Sequence, residues 1–263
     1  MLLAQLISLP VSILLFIWML SIKKNDPFPR GSVISMLLSG ALCTFLATIL
    51  TLLLGFAALI HRIGPANIAE MFADPSSFQN TAAWKQLLEI SSNYSVAGAV
   101  RGAFLGAALI EELLKYLFMR ICLRRPGVMK TRIDAVACAA IIGIAFQVVE
   151  DLYYASGSVL LAIFRAVTPL HFVFGLIMGY YFAQYKITGR KRDGILALLL
   201  PILAHGFYDS GVNILKVDDS YFSVTLTIIG LSLALMVYVI VKFCRKLKDG
   251  TLSEPITAPE TAQ

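Results

Sequence analysis

Long apolar runs alternate with short polar connections along this chain, and the runs have the length of bilayer crossings. A transmembrane helix needs about 20 consecutive apolar residues. Seven stretches meet that reading: Leu2 to Ile22, Val33 to Ile60, Val96 to Met119, Ile133 to Tyr153, Val159 to Tyr185, Ile195 to Leu215 and Phe222 to Val241. The pattern predicts an all-α fold, a polytopic membrane helix bundle whose second and fifth spans are long enough to tilt. Residues 1–248 read as a single integral-membrane domain with an external loop at 61–95, followed by a tail at 249–263 whose Thr, Pro and Glu content predicts disorder. Within the loop, Trp84, Leu87, Leu88 and Ser91 stand at helical spacing and predict a short interfacial helix, either a cap over the bundle or a substrate gate.

Small residues recur at every fourth position in three of the spans: Gly102 and Gly106, then Ala135, Ala139 and Gly143, then Gly175 and Gly179. In lipid, such spacing lets helix backbones approach closely. Spans three to six, residues 96–215, are therefore expected to form the inner bundle. Spans one, two and seven are nearly free of ionisable groups and are expected to face lipid.

Composition agrees with the pattern. The chain is 58% hydrophobic and 14% charged, against roughly 45–50% and 25% in an average soluble domain, and its mean hydropathy is +0.80. Its +6 net charge reports topology. Lys23, Lys24, Arg30, Arg120, Arg124, Arg125, Lys130, Arg132, Lys186, Arg190, Lys191, Arg192, Lys242, Arg245, Lys246 and Lys248, sixteen of the 22 basic residues, occupy alternate connections. By the positive-inside rule those connections are cytoplasmic, which puts the amino terminus outside and the carboxyl terminus in the cytoplasm. Nucleic acid is not an expected partner, because no basic patch is interleaved with aromatics in a soluble domain. Span one has no basic start and no small-residue cleavage site, and is expected to remain as a membrane helix. Cys43, Cys122, Cys138 and Cys244 fall in spans or on the cytoplasmic side, which argues against a disulfide framework and a Cys-rich zinc site.

The candidate chemistry lies where the apolar pattern is broken. An intramembrane carboxylate costs about 2.5–3.5 kcal/mol on insertion scales, so an ionisable residue at that depth is a functional-site hypothesis. Glu111 and Glu112 interrupt span three, with Lys115 one turn on, and Glu111 and Lys115 share a face. In span four, Phe146 and Glu150 stand at i and i+4, while Asp151 falls at the outer interface and is expected to be solvated. Span five carries Arg165, a helix-disrupting Pro169 and His171. His205 and Asp209 in span six are again i and i+4, a spacing at which a carboxylate orients an imidazole or both groups ligate a metal. Counted inward from the span ends, Glu111, His171 and His205 lie at comparable depths.

Four motifs in order on consecutive predicted helices resemble the PrsW family of intramembrane proteases, related to the CAAX prenyl proteases and to bacteriocin-processing or immunity membrane proteins. Glu111, Glu112 and Lys115 match the family's Glu-Glu-x-x-Lys motif, and Phe146 and Glu150 match its Phe-x-x-x-Glu motif. Arg165, Pro169 and His171 match an Arg, Pro and His pattern in the next helix, and His205 and Asp209 match a His-x-x-x-Asp-like motif. The resemblance covers about Gly98 to Val212. CAAX proteases would have Arg in place of Lys115 and His in place of Glu150, so the PrsW branch fits better.

The resemblance implies an intramembrane endopeptidase of a bacterial cell membrane that hydrolyses a peptide bond in a membrane-anchored protein, with anti-sigma factors as a typical target class. Glu111 or Glu112 would be the general base, with His171 and His205 positioning water or stabilising the oxyanion, and with Glu150 and Asp209 in the same site. Lys115, Arg165 and Phe146 would support it. Two chemistries stay open: a glutamate and histidine site acting unaided, which is slightly favoured, or Zn²⁺ held by His171, His205 and Glu150. Two other classes share these features. A proton- or ion-coupled transporter predicts paired repeats with discontinuous helices, which are not evident, and a scaffold or immunity protein of the same fold predicts that the motif residues are dispensable.

Overall fold

The described parts of the predicted spans are largely helical in the computed structural model, which describes residues 7, 9–74, 76, 79, 81, 83–85, 95–154 and 159–256. The longer elements are α1 (Leu9–Ile22), α2 (Ser32–Ile63), α3 (Pro65–Ala73), α4 (Val96–Arg101), a π-helical segment (Gly102–Ala108), α5 (Leu109–Leu123), α6 (Arg132–Tyr154), α7 (Val159–Val167), α8 (Leu170–Thr188), α9 (Lys191–Leu215) and α10 (Phe222–Lys248). Among the described residues, five stretches are long and apolar enough to cross a membrane: Ser32–Ile63, Arg132–Tyr153, Ile163–Thr188, Lys191–Leu215 and Asp219–Lys248. Two of the seven predicted spans fall short of that measure. α1 has 14 residues, and the third span is divided by the π-helix and carries the charges of α5. The predicted interfacial helix from Trp84 to Ser91 lies outside the described residues beyond Lys85.

α6 and α8 make the most extensive helix pair, with α9 and α2 packed against them. The spacing of small residues explains why. A Cβ on Gly175 would lie 2.6 Å from the Ala139 carbonyl oxygen, and one on Gly179 would lie 2.5 Å from that of Ala135. Only glycine allows the two backbones to touch here. In its most apolar stretch α6 is 83% buried, whereas α2 and α10 are 17% and 11% buried, which marks them as lipid-facing. Gly106 departs from the expected close packing, since a Cβ there would meet nothing within 4 Å. It belongs instead to the π-helix, and its carbonyl accepts a hydrogen bond from Thr51 Oγ1 at 2.8 Å.

Pro169 separates two helices rather than kinking one. α7 ends at Val167 and α8 begins at Leu170, because proline supplies no N–H to continue the ladder. The basic end of the bundle is tied by Lys23, whose Nζ lies 2.6 Å from Asp134 Oδ1. The other Asp134 oxygen accepts from the Lys130 and Thr131 amides at 2.8 and 2.7 Å, capping α6. Residues 249–256 pack against the bundle: Leu252 is fully buried, Glu254 pairs with Arg132 at 2.8 Å, and the Ile256 amide donates to the Lys130 carbonyl. One apolar anchor and one ion pair hold this stretch, features that composition averages away.

Candidate active site

Helix α5 begins directly after the π-helix and turns Glu112 and Lys115 inward, where both are buried. Lys115 Nζ donates to Glu112 Oε1 at 2.7 Å and lies 3.7 Å from Glu111 Oε2. The pairing is tighter with Glu112 at i−3 than with Glu111 at i−4, because the lysine is drawn toward a third partner. That partner is His171, whose Nδ1 is 2.8 Å from the ammonium. The same ammonium lies 3.7 Å over the centre of the Phe146 ring, a cation–π contact that strengthens when water is excluded. One cation thus joins α5, α6 and α8.

His171 has a second fixed contact, Nε2 to Glu150 Oε2 at 2.7 Å. Since Nδ1 accepts from the lysine, the neutral ring that carries its hydrogen on Nε2 satisfies both neighbours. Arg165 then clamps the carboxylates of α6, with Nη2 at 2.8 Å from Glu150 Oε2 and Nε at 2.6 Å from Asp151 Oδ1. Asp151 is therefore fully buried and not solvated as expected. The fork of a guanidinium can hold two carboxylates at once, and the break at Pro169 lets α7 fold back to bring it there.

From α9, His205 points Nδ1 at Glu112 Oε1 (3.0 Å) and Nε2 at Asp209 Oδ2 (3.2 Å), with Glu111 Oε2 3.9 Å from Nε2. The His171 and His205 ring centres are 5.0 Å apart, and Phe174 stacks on His205 at 5.2 Å. Glu111, Glu112, Lys115, Phe146, Glu150, Arg165, His171, His205 and Asp209 thus form one connected cluster.

Two cavities flank it. One, of about 30 Å³, is bordered by Gln147, Glu150, His171, His205, Tyr208 and Asp209, room for about one water molecule among polar groups. The other, of about 190 Å³, is bordered by Thr44, Thr48, Thr51, Glu111, Phe146 and Glu150. Glu111 Oε2 and Glu112 Oε2 are buried without a hydrogen-bond partner. Sequence reasoning passed over Gln147, Tyr208 and the three threonines. The threonines recur at i, i+4 and i+7 of α2, and that spacing was the available signal.

Glu111, Glu112, His171 and His205 can each offer one ligand atom, all within 4.8 Å of one another. Imidazole and carboxylate donors suit zinc, and the two unpartnered oxygens give the set free acceptors, so the residues fit such an ion. Glu150 stands outside the four, occupied by Arg165 and His171.

A model of PrsW family intramembrane metalloproteases matches residues 29–242. The chain is also similar to three curated proteins named protease PrsW. That of Oceanobacillus iheyensis is 33% identical over 125 residues, 46% of this chain and 58% of the relative. That of Geobacillus kaustophilus is 34% identical over 119 residues (43% and 53%), and that of Shouchella clausii is 36% identical over 112 (41% and 52%). The matched region spans a little over half the length of each of these relatives. No solved structure matches the chain.

Proposed function

The chain belongs to the PrsW family, and from that premise we propose that it is an intramembrane endopeptidase that hydrolyses a peptide bond of a membrane-anchored protein. One observation carries the reading: carboxylates, histidines and a lysine from four helices meet at one point inside an apolar bundle. A multi-pass membrane protein bears several kcal/mol for each such residue, and their convergence beside cavities supports water chemistry.

Hydrolysis needs a base for water, a donor for the oxyanion and a proton for the departing amine. Glu111 is the base. Its Oε2 has no hydrogen-bond partner, and its side chain borders the 190 Å³ cavity, where an extended substrate segment would lie. Glu112 Oε1 is engaged by both Lys115 and His205, which makes Glu112 the residue that orients them. Glu111 removes a proton from water as the oxygen attacks the scissile carbonyl carbon. His205 Nε2, which borders the 30 Å³ cavity and lies 3.9 Å from Glu111 Oε2, turns its N–H from Asp209 to the oxyanion. When the C–N bond breaks, the Glu111 acid returns its proton to the amine nitrogen. His171, held between Lys115 and Glu150, keeps the second imidazole in place.

A zinc ion held by His171, His205 and the two glutamates would polarise the carbonyl and acidify the water. The unaided mechanism is favoured because the Lys115 ammonium already brings positive charge to Glu112 and His171. Zinc in stoichiometric amount in the purified protein, lost in His171→Ala, would reverse that preference.

The proposal includes seven crossings, with α1 as the short one and the α4–α5 stretch as one interrupted by its π-helix, an external amino terminus, a cytoplasmic carboxyl terminus and a bacterial plasma membrane. An anti-sigma-factor-like substrate is the expected target class. Co-expression with a library of single-span membrane proteins tests the activity. Cleavage products should appear with the wild type and disappear in Glu111→Gln, Glu112→Gln and His171→Ala; products that persist in all three variants overturn the reading.

A further inference from the structure

A cavity of about 680 Å³ lies between α8, α9 and α10 and contains none of the residues of the polar cluster. We propose that it binds one anionic phospholipid, with an acyl chain in the cavity and the phosphate against Lys242 and Lys246. Its volume falls within the range of roughly 300–1,000 Å³ typical of small-molecule sites. Leu176, Leu200, Leu203, Phe207, Leu235 and Val239 make its walls apolar.

Polarity appears at one end. Lys242 and Lys246, one helical turn apart, line the cavity together with Tyr180, Tyr181 and Tyr238. Lys246 Nζ lies 4.8 Å from the centre of the Tyr180 ring, and Lys242 Nζ lies 5.6 Å from that of Tyr238. Among the described residues, neither ammonium has a carboxylate within ion-pair distance. The buried lysines behave differently: Lys23 pairs with Asp134 and Lys115 with Glu112. Two unpaired cations beside phenol rings at the mouth of an apolar cavity complement a phosphodiester attached to a hydrocarbon tail.

Length and position support the same occupant. From Leu235 to Lys246 the helix advances about 16 Å, close to half of the ~30 Å hydrocarbon core. That is the depth of one leaflet, and so of one tail. The lysines stand at the end of the bundle that carries the basic clusters, and cytoplasmic leaflets hold the anionic lipids that basic interhelical pockets recognise. A second transmembrane helix, ~10 Å across, would need roughly twice this volume over the same length.

Native mass spectrometry of the full chain, exchanged into mixed micelles with phosphatidylglycerol or phosphatidylcholine of the same acyl chains, tests the proposal without requiring any cleavage assay. One phosphatidylglycerol should be retained at least five-fold more than phosphatidylcholine. Lys242→Gln with Lys246→Gln should remove that preference, and Ala204→Phe, which fills the cavity, should lower retention of both lipids. Unchanged thermal unfolding keeps these variants interpretable, and Leu200→Phe serves as a second filling variant if Ala204→Phe unfolds. Equal retention of the two lipids, a preference that survives the double substitution, or displacement of the lipid by a single-span Leu-Ala peptide would each overturn it.

Discussion

His171 and Tyr180 lie on the same helix, α8, yet they belong to regions of opposite electrostatic design. Around His171 the chain neutralises its own charges: Lys115 meets Glu112, Arg165 spans Glu150 and Asp151, and His205 sits between Glu112 and Asp209. Around Tyr180 the walls are apolar and Lys242 and Lys246 have no carboxylate beside them among the described residues. The difference follows from what lies outside each region. Deep in the bundle no solvent or headgroup can screen a charge, so partners must come from neighbouring helices. At the basic end, water and lipid phosphate are within reach.

Activity should separate the regions most widely. Glu111→Gln is expected to lower single-turnover cleavage by about 10²–10⁴-fold, the usual range for a lost general base, while leaving thermal unfolding nearly unchanged because its Oε2 has no hydrogen-bond partner to lose. Glu112→Gln should lower both rate and stability, since its Oε1 is engaged by Lys115 and His205. If Glu111→Gln were the more destabilising of the two, the division between a free base and a structural carboxylate would be wrong.

Stability gives the next contrast. Lys115→Met leaves Glu112 buried without its cation and should cost about 3–5 kcal/mol, read by reversible unfolding in detergent. Lys246→Met removes a charge that, among the described residues, has no carboxylate within ion-pair distance, and should stay within about 0.5 kcal/mol. Equal losses would erase the distinction between the regions. Gly179→Ala acts between them, where a Cβ would lie 2.5 Å from the Ala135 oxygen. Overpacking of this kind typically costs about 1–3 kcal/mol. A shift of α8 relative to α6 should then alter cleavage and lipid retention together, whereas an effect on only one would show that α8 yields locally.

The polar region was the legible one. Ionisable residues in apolar helices stand out because their cost is one-sided, so Glu111, Glu112, His171 and His205 were visible from spacing alone, and the fold class followed from run length. Partner choice was less visible. Lys115 pairs with Glu112 more closely than with Glu111 because His171, 56 residues away, draws the ammonium toward itself. Asp151 read as solvated because its depth was counted along one helix, and the guanidinium that buries it comes from the next one. The apolar cavity was illegible for a related reason: leucines lining a hollow and leucines facing lipid have the same pattern. The docked stretch through Ile256 depends on one leucine and one ion pair within a polar composition.

The smallest expected effect comes from a charge pair outside the spans, and it calibrates the others. Asp26, in the connection after α1, accepts hydrogen bonds from Lys130 at 2.5 Å and Lys23 at 3.0 Å. The Lys130 bond, followed by the Lys23 bond, holds its carboxyl below the ordinary value of 3.8, while Asp26 in turn raises Lys130, which stays protonated throughout. A carboxyl lowered on folding contributes stability that is fully present above its unfolded value and is lost as the pH falls through its folded value. The contribution should therefore be intact near pH 6 and fade below about pH 3.8. Other carboxylates titrate in the same window, so the informative quantity is the gap between wild type and Asp26→Asn, measured by thermal unfolding at each pH. The gap should be small, because Asp26 and Lys130 are each about half exposed and solvated pairs contribute little, and it should close in acid. A gap as large as that of Lys115→Met would mean that burial is not what makes the pairs of the inner bundle costly to break.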